Sequence, residues 1–149
     1  MKLTLGSFLA GHRIVKCIWE DPSGGAIYAA YEKSEREEKD NIASCKVLSS
    51  LLGWTCVLLP PRHVMNVKTA DMMKADDLTI WEIKTNYSGN PKTISRALQD
   101  AKRQAENAVI RIVATECDMK AIHKAAKLRK EYSKLENIII ICDGTVVFV

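Results

Sequence analysis

Two acidic residues and a lysine lie in apolar, strand-like surroundings in the segment KTADMMKADDLTIWEIKT, residues 68–85. The acidic residues are Asp71 and Glu82, and Lys84 follows Glu82 after a single residue. Carboxylates lose hydration in such surroundings, and an uncompensated charge there is costly. A compensating positive charge is therefore expected next to Asp71 and Glu82, supplied by an amine or by a metal ion.

The segments 70–74 and 78–84 are predicted to form the two strands of a hairpin. A two-residue turn at Asp76-Asp77 places Asp71 directly opposite Glu82, with their β-carbons roughly 4.5–5.5 Å apart. A register shifted by one residue separates the two carboxylates, because every side chain then changes face. The predicted opposition of Asp71 and Glu82 therefore depends on the geometry of this turn.

Glu82 and Lys84 are two residues apart and share one face of their strand, whereas Trp81 and Ile83 face the other side, toward a core. Opposed carboxylates repel each other, and a divalent metal ion compensates them because it prefers hard oxygen ligands. We therefore predict a metal site at Asp71 and Glu82, with Lys84 serving the chemistry beside it. The alternative is a salt-bridged surface hairpin that has no further function.

A long helix, predicted over residues 31–52, brings a third carboxylate. Glu35, Glu38, Ile42 and Cys45 are spaced by three or four residues and therefore share one helix face. This face becomes apolar along the helix, so it is expected to pack on the sheet. Glu38 lies one turn before Ile42, at the edge of the buried stripe, and can approach the site. Most of the charged run EKSEREEKD is interpreted as a solvated face.

The remaining elements follow from periodicity and from turn residues. Asn90 and Pro91 are typical of a helix start, and Asp143-Gly144 is typical of a hairpin turn. The other predicted elements are strands at 12–19, 55–60, 108–114, 137–142 and 145–149 and helices at 92–107 and 118–134. The order β–α–β–β–β–α–β–α–β–β predicts one α/β or α+β domain, taken here as α/β, with a mixed central sheet flanked by helices.

Composition sets broad limits on the protein. The chain has 149 residues, 47% hydrophobic, which is enough for one globular core. Its net charge of +4 is compatible with a polyanionic partner and is weak support for one. Five cysteines without a CxxC spacing, three of them beside aliphatic residues, indicate core thiols in a reducing compartment. No apolar run approaches the ~18 residues of a membrane span.

The acidic pattern resembles that of the PD-(D/E)xK nuclease superfamily, with Asp71 followed by Glu82-Ile83-Lys84. The surrounding segments LLGWTCVLLPP, KTADMM, WEIKTN and ISRALQDAKRQAENAVI are more specific. Together they resemble the C-terminal tRNase toxin domains of CdiA, the contact-dependent growth inhibition effectors, over about residues 30–149. Similar domains occur in phage-type head morphogenesis proteins. The superfamily's proline is replaced by Ala70, at a position that varies widely.

The resemblance implies a PD-(D/E)xK-like αβββαβ core with an extra C-terminal α–β–β. It implies that Glu38, Asp71, Glu82 and Lys84 are catalytic, with Asp71 and Glu82 as metal ligands and Lys84 orienting or activating the attacking water. If the alignment shifts by a turn, Glu35 or Glu37 replaces Glu38. The expected cofactor is a divalent ion, Mg²⁺ in the first place, with Mn²⁺ or Zn²⁺ as alternatives.

RNA contacts are expected around the loop after Lys84 and on the following helix. Thr85 and Asn86 can bond a phosphate, and Tyr87 can stack on an unpaired base. A basic helix face can follow phosphates, although loops and helix faces of this kind are often only solvated. The residues assigned to RNA binding are Thr85, Asn86, Tyr87, Lys92, Arg96 and, by the resemblance, Gln104.

The resemblance thus implies a metal-dependent endoribonuclease toxin domain that cleaves tRNA and inhibits bacterial growth. Residues 1–149 form one domain, with 31–149 as the nuclease-like core and 1–30 as an N-terminal extension. A larger secreted effector delivers it to the target cytoplasm, and it has no membrane-spanning segment. It is a monomer or a heterodimer with a cognate immunity protein. The alternatives are a DNA endonuclease of the restriction or repair type and an inert phage-associated binding module.

Overall fold

The computed structural model of the protein describes residues 16–29, 38–59 and 70–149. The chain divides into two compact units, one ending at Ile80 and the other running from Trp81 to Val149. Each unit combines helix and strand, so the predicted mixed α/β class is confirmed.

The first unit contains four strands and one helix within the part that the structure describes. These elements are β1 (Lys16–Glu20), β2 (Ala26–Ala29), α1 (Lys39–Leu52), β3 (Thr55–Leu58) and β4 (Met72–Lys74). The pairs β1–β2 and β3–β4 are antiparallel, and β2–β3 is parallel. Strand β2 was missed from the sequence, because its four residues lie between a turn and a charged run.

Helix α1 packs on β2 and β3 through a buried stripe that includes Ile42, Cys45 and Leu48. It ends where predicted, at Gly53, which adopts a left-handed φ of 69° and donates its N–H to the carbonyls of Leu48 and Ser49. Glycine takes this conformation without steric cost, which is why it ends helices so often. The earlier residues of the predicted helix, 31–37, lie outside the described residues.

The turn after β4 differs from the predicted two-residue turn. It covers residues 75–78, and the Leu78 N–H donates to the carbonyl of Lys74 over 2.9 Å. Leu78 takes a left-handed φ of 62°, and the Asp77 carboxylate accepts hydrogen bonds from the N–H and the hydroxyl of Thr79. The prediction was wrong because Asp-Asp lacks the glycine that favours the tight hairpin turn.

The second unit is built mainly of parallel strands. Its elements are β5 (Thr79–Asn86, whose first two residues close the first unit), α2 (Pro91–Lys102), β6 (Asn107–Ile112), α3 (Met119–Ser133), β7 (Asn137–Cys142) and β8 (Thr145–Phe148). The pairs β5–β6 and β6–β7 are parallel, and β7–β8 is antiparallel. Each parallel pair is joined by a helix, as a crossover connection requires.

The predicted start of α2 is confirmed. The Asn90 side chain accepts a hydrogen bond from the Lys92 N–H over 2.9 Å, and Pro91 occupies the first helical turn. The helix ends at Lys102, before the predicted Asn107, because residues 103–106 form a turn and Asn107 begins β6. Asp143 and Gly144 both take left-handed φ values, 50° and 72°, which confirms the predicted hairpin between β7 and β8.

One apolar cluster joins α2 and α3 to β6 and β7. Its fully buried members include Ile94, Leu98, Ile110, Ile122 and Ile140. Val109 and Ile139, on the opposite face of β6 and β7, are also buried, as is usual for parallel strands. Among the described helices, none is long and apolar enough to cross a membrane.

Candidate active site

Strand β5 places Glu82 and Lys84 on one face. In the parallel register Glu82 pairs with Ala108 and Lys84 pairs with Ile110. Paired residues of neighbouring strands share a sheet face, and Ala108 and Ile110 belong to the cluster that α2 and α3 cover. The acid and the lysine therefore point to the face of β5 and β6 on which the helices pack.

Glu82 and Lys84 form an ion pair, with Nζ 3.5 Å from Oε2. The side chain of Glu82 is only 8% exposed, whereas that of Lys84 is 33% exposed. A carboxylate at this depth needs a compensating charge, and Lys84 provides it from the partly solvated side. Trp81 and Ile83 are buried as predicted. The predicted arrangement of these four side chains along β5 is confirmed.

The end of β5 carries polar groups at the rim of the sheet. Thr85 Oγ1 and Asn86 Nδ2 are buried and make no hydrogen bond to any of the described residues. The backbone carbonyl of Asn86 accepts the Val113 N–H over 2.8 Å, which ties the end of β5 to the loop after β6. Tyr87 follows with its side chain exposed. The end of β5 thus carries a buried hydroxyl, a buried amide and an accessible aromatic ring.

The predicted contact residues on α2 are on its surface. Lys92 and Arg96 are exposed and lie four residues apart, so they share one helix face. Arg103, farther along, forms an ion pair with Asp100 at 3.8 Å. Gln104 lies just past the end of α2, partly buried, with its N–H donating to the Ala101 carbonyl over 2.9 Å.

In the first unit, Glu38 stands at the N-terminal end of α1 and is buried. Its carbonyl accepts the Ile42 N–H over 2.8 Å, and its Oε2 accepts a hydrogen bond from Asn41 Nδ2 over 2.9 Å. Asn41 therefore orients the Glu38 carboxylate. Sequence reasoning missed Asn41, although its spacing of three residues from Glu38 is the spacing of neighbours on a helix. Glu35 and Glu37 lie outside the described residues.

Asp71 lies immediately before β4, half-buried, and its carbonyl accepts the Leu59 N–H over 2.9 Å. The pKa of the buried Cys45 thiol is raised, first by its hydrogen bond with Cys56, then by burial, and further by the charges of Asp71 and Glu38. Both carboxylates therefore act on the same thiol, which lies on the buried face of α1. The structure brings Glu38 and Asp71 to one part of the first unit.

The carboxylates suit a magnesium-type ion by their chemistry. Within the described ranges, no group of three or more His, Cys, Asp and Glu side chains is placed to hold a metal ion. Mg²⁺ does not require such a group, because it typically binds through one or two carboxylates and keeps several waters. Asp71 and Glu82 each carry a carboxylate of this kind. Their direct opposition and their joint metal binding stay predictions.

One segment of the chain matches the model of a known protein family. Residues 77–146 match the family model of the contact-dependent growth inhibition CdiA C-terminal domain. The match begins in the turn before β5 and ends in β8, so it contains Glu82, Lys84 and Gln104. It does not extend to Glu38 and Asp71. The predicted resemblance to CdiA C-terminal domains is thus confirmed for this segment.

The fold is similar to that of a solved "CdiA-CT/CdiI toxin and immunity complex from Burkholderia pseudomallei". The two chains share 17% sequence identity with a TM-score of 0.52, and the similarity covers 78% of this chain and 89% of the other. At this identity the likeness establishes the fold and leaves substrate and chemistry to other arguments. No curated protein sequence matches the chain. The assignments to the PD-(D/E)xK superfamily and to tRNA cleavage remain predictions.

Proposed function

We propose that the chain is a metal-dependent endoribonuclease toxin domain that hydrolyses phosphodiester bonds in tRNA and so inhibits the growth of competing bacteria. The observation that carries the proposal is the buried Glu82 with Lys84 beside it at 3.5 Å. This pair lies in the segment that matches CdiA C-terminal domains. A strand that carries a buried carboxylate and a partly buried lysine, where two apolar residues would be expected, is typical of a site that uses both charges.

Asp71 and Glu82 are the proposed ligands of the divalent ion, which is Mg²⁺ in the first place, with Mn²⁺ or Zn²⁺ as alternatives. When bound, such an ion lowers the pKa of its water and offsets charge on the phosphate. Glu38 receives a hydrogen bond from Asn41, which fixes one of its oxygens. We assign Glu38 the task of positioning the attacking water.

Lys84 has two tasks in the proposed reaction. Its ammonium group compensates Glu82 in the resting protein, and its 33% exposure gives it access to a bound phosphate. A fixed cation next to the scissile phosphate stabilises the negative charge that develops in the transition state. Lys84 also orients the attacking water through its N–H groups, as the family resemblance implies.

RNA binding is assigned to the rim of β5 and to α2. We assign the Thr85 hydroxyl and the Asn86 amide, which are buried in the free domain, as donors that a phosphate reaches on RNA binding, and the exposed ring of Tyr87 as a stacking surface. Lys92 and Arg96 present exposed charges on one face of α2 and attract the phosphate backbone. Gln104 is assigned to the edge of the site.

Delivery and protection follow from the same proposal. CdiA C-terminal domains take their name from a larger effector, and the solved relative is a toxin bound to an immunity protein. We propose that a larger secreted effector carries this domain into the cytoplasm of a target bacterium. A cognate immunity protein binds it in the producing cell as a heterodimer, and the free domain is a monomer.

The deciding experiment incubates the purified protein with total tRNA and, separately, with duplex DNA, each with Mg²⁺ and with a chelator. Discrete tRNA fragments that disappear with the chelator and with Lys84→Met are the expected result. Lys127→Met, which removes an exposed lysine from α3, is the matched control and should leave cleavage unchanged. Cleaved DNA with intact tRNA would show instead that the protein is a DNA endonuclease. Intact tRNA and DNA would overturn the nuclease proposal.

A further inference from the structure

We propose that Cys117 and Cys142 form a reversible disulfide site, which closes when the protein meets a disulfide oxidant. The bond would tie the loop between β6 and α3 to the last residue of β7. The inference stands on the placement of the two thiols, and only its biological use rests on the proposed function.

The fold brings the two thiols together from positions 25 residues apart in the chain. Cys142 ends β7, is 8% exposed, and belongs to the apolar cluster that α2 and α3 cover. Cys117 packs against the same cluster and immediately precedes Asp118, the N-cap residue of α3. An interaction with the Cys117 thiol contributes to the raised pKa of Cys142, so the two side chains lie near each other. Thiols that lie close together in the folded protein need little backbone movement to form a bond.

The two cysteines differ in their access to an oxidant. Cys117 is partly exposed, and its thiol also lies 4.0 Å from the Ala114 carbonyl oxygen. The pKa of Cys142 is raised to about 11, first by burial, then by the hydrogen bond with Cys117 and by the nearby charge of Asp143. Cys142 therefore stays protonated near neutral pH, and the reaction begins at Cys117.

Oxidised glutathione serves as the oxidant that forms the disulfide. Cys117 releases its proton to solvent, and its sulfur attacks one sulfur of oxidised glutathione, which expels one glutathione thiolate. Cys142 then loses its proton and attacks Cys117 Sγ, which expels the second glutathione. The two cysteines together lose two electrons and two protons, and oxidised glutathione takes up the electrons to become two reduced molecules.

A second thiol pair in the first unit provides an internal contrast. The Cys56 thiol contributes to the raised pKa of Cys45, so this pair is also close, but both cysteines are fully buried at 0% exposure. An oxidant reaches them only when the structure opens, so they should remain reduced while the protein is folded. Cys17 is exposed on β1 and should accept glutathione as a single thiol.

The disulfide would act on the neighbouring loop after β5. Gly89 approaches the Cys117 segment so closely that a β-carbon there would lie 3.0 Å from Cys117 Sγ and 2.6 Å from the Glu116 carbonyl oxygen. This loop carries Asn86 and Tyr87, which the proposed function assigns to RNA. An oxidised form outside cells and a reduced form in the target cytoplasm would therefore differ next to that surface.

The test uses the unsubstituted protein, folded, incubated with oxidised glutathione, then alkylated, digested with trypsin and mapped by mass spectrometry. The sequence favours this design because each of the five cysteines falls in a different tryptic peptide. A cross-linked product of peptides 112–120 and 135–149, lost on reduction, is the expected result. Peptide 112–120 carrying glutathione while Cys142 is alkylated, or both peptides alkylated, would overturn the proposal.

Matched variants identify the chemistry. Cys142→Ser should stop the reaction at the glutathione adduct of Cys117, and Cys17→Ser should leave the cross-link unchanged. Peptide mapping reads the bond itself, so a protein without tRNase activity still gives a decisive answer. Cross-linking without cleavage would overturn the proposed function alone, and cleavage without cross-linking would overturn the disulfide alone.

Discussion

The two units each bury a glutamate, and they compensate it in different ways. Glu38 lies at the start of α1 and accepts a hydrogen bond from a neutral amide, Asn41. Glu82 lies inside β5 and faces a cation, Lys84. The start of a helix carries about half a positive charge, so Glu38 has a favourable field where it stands. A strand has no such field, so Glu82 needs a charged neighbour.

This difference in compensation indicates different roles for Glu38 and Glu82. The pair in the second unit contains both signs of charge at one place, which suits a reaction that builds negative charge on a phosphate. The first unit places two carboxylates, Glu38 and Asp71, near one thiol, since the charges of both act on Cys45. Carboxylate oxygens are suited to ion or water binding.

The largest expected effect comes from removing the charge of Glu82 while keeping its shape. Glu82→Gln should lower the rate of tRNA cleavage roughly a thousandfold, because a metal ion held by a carboxylate supplies several kcal/mol to the transition state. The melting temperature should stay close to that of the unsubstituted protein. Glu131→Gln, on the exposed surface of α3, is the control. Undiminished cleavage would remove Glu82 from the chemistry.

Lys84 should affect both rate and stability. Lys84→Met should lower cleavage roughly a hundredfold through the lost cation. It should also lower the free energy of unfolding by about 1–2 kcal/mol, because Glu82 loses its neighbouring charge. Denaturant unfolding of the double variant with Glu82→Gln measures the coupling. The double variant should be more stable than Lys84→Met alone; equal stability would mean that the ion pair has no energetic role.

Asp71 tests which carboxylate of the first unit binds the ion. Asp71→Asn should weaken Mg²⁺ binding roughly tenfold, as measured by calorimetry, because one of the two proposed ligands loses its charge. Glu38→Gln should have a smaller effect, since Glu38 is assigned to the water. Asp76→Asn, at an exposed position of the same turn region, is the control. If Glu38→Gln lowers the Mg²⁺ affinity and Asp71→Asn does not, Glu38 is the metal ligand and Asp71 is the residue that positions the water.

The smallest expected effect belongs to Asn41. Asn41→Leu keeps the size of the side chain but removes the donor to Glu38, which should lower the free energy of unfolding by about 1 kcal/mol. Thermal or denaturant unfolding measures this change, with Lys39→Gln, an exposed residue of the same helix, as the control. A loss as large as that of Lys84→Met would show that amide and cation compensate their glutamates equally.

Local signals in the sequence predicted most of the second unit. Asn90-Pro91 fixed the start of α2, and Asp143-Gly144 fixed the hairpin, because each dipeptide acts through its own backbone preferences. The alternation of Trp81 to Lys84 placed the acid and the lysine on one face, and the 3.5 Å ion pair agrees with it. These features need no knowledge of distant parts of the chain.

The failures concern features that depend on neighbours in space. Strand β2 is held by β1 on one side and by β3 on the other, which four residues of sequence do not reveal. The turn at 75–78 is completed by the Asp77 carboxylate bonding to Thr79. The contact between Cys117 and Cys142 exists only because α3 and β7 meet one cluster. The cysteines were therefore predicted only as core thiols.

The parallel register of the second unit determines the order in which it can fold. Glu82 pairs with Ala108, and Ala108 pairs with Ile138. Each of these contacts forms only after the crossover helix between the two strands has brought the chain back to the sheet. The β7–β8 hairpin needs only its own residues and can form within microseconds. The pair of Glu82 and Lys84 therefore gains its neighbouring strand, β6, only after the first crossover has closed.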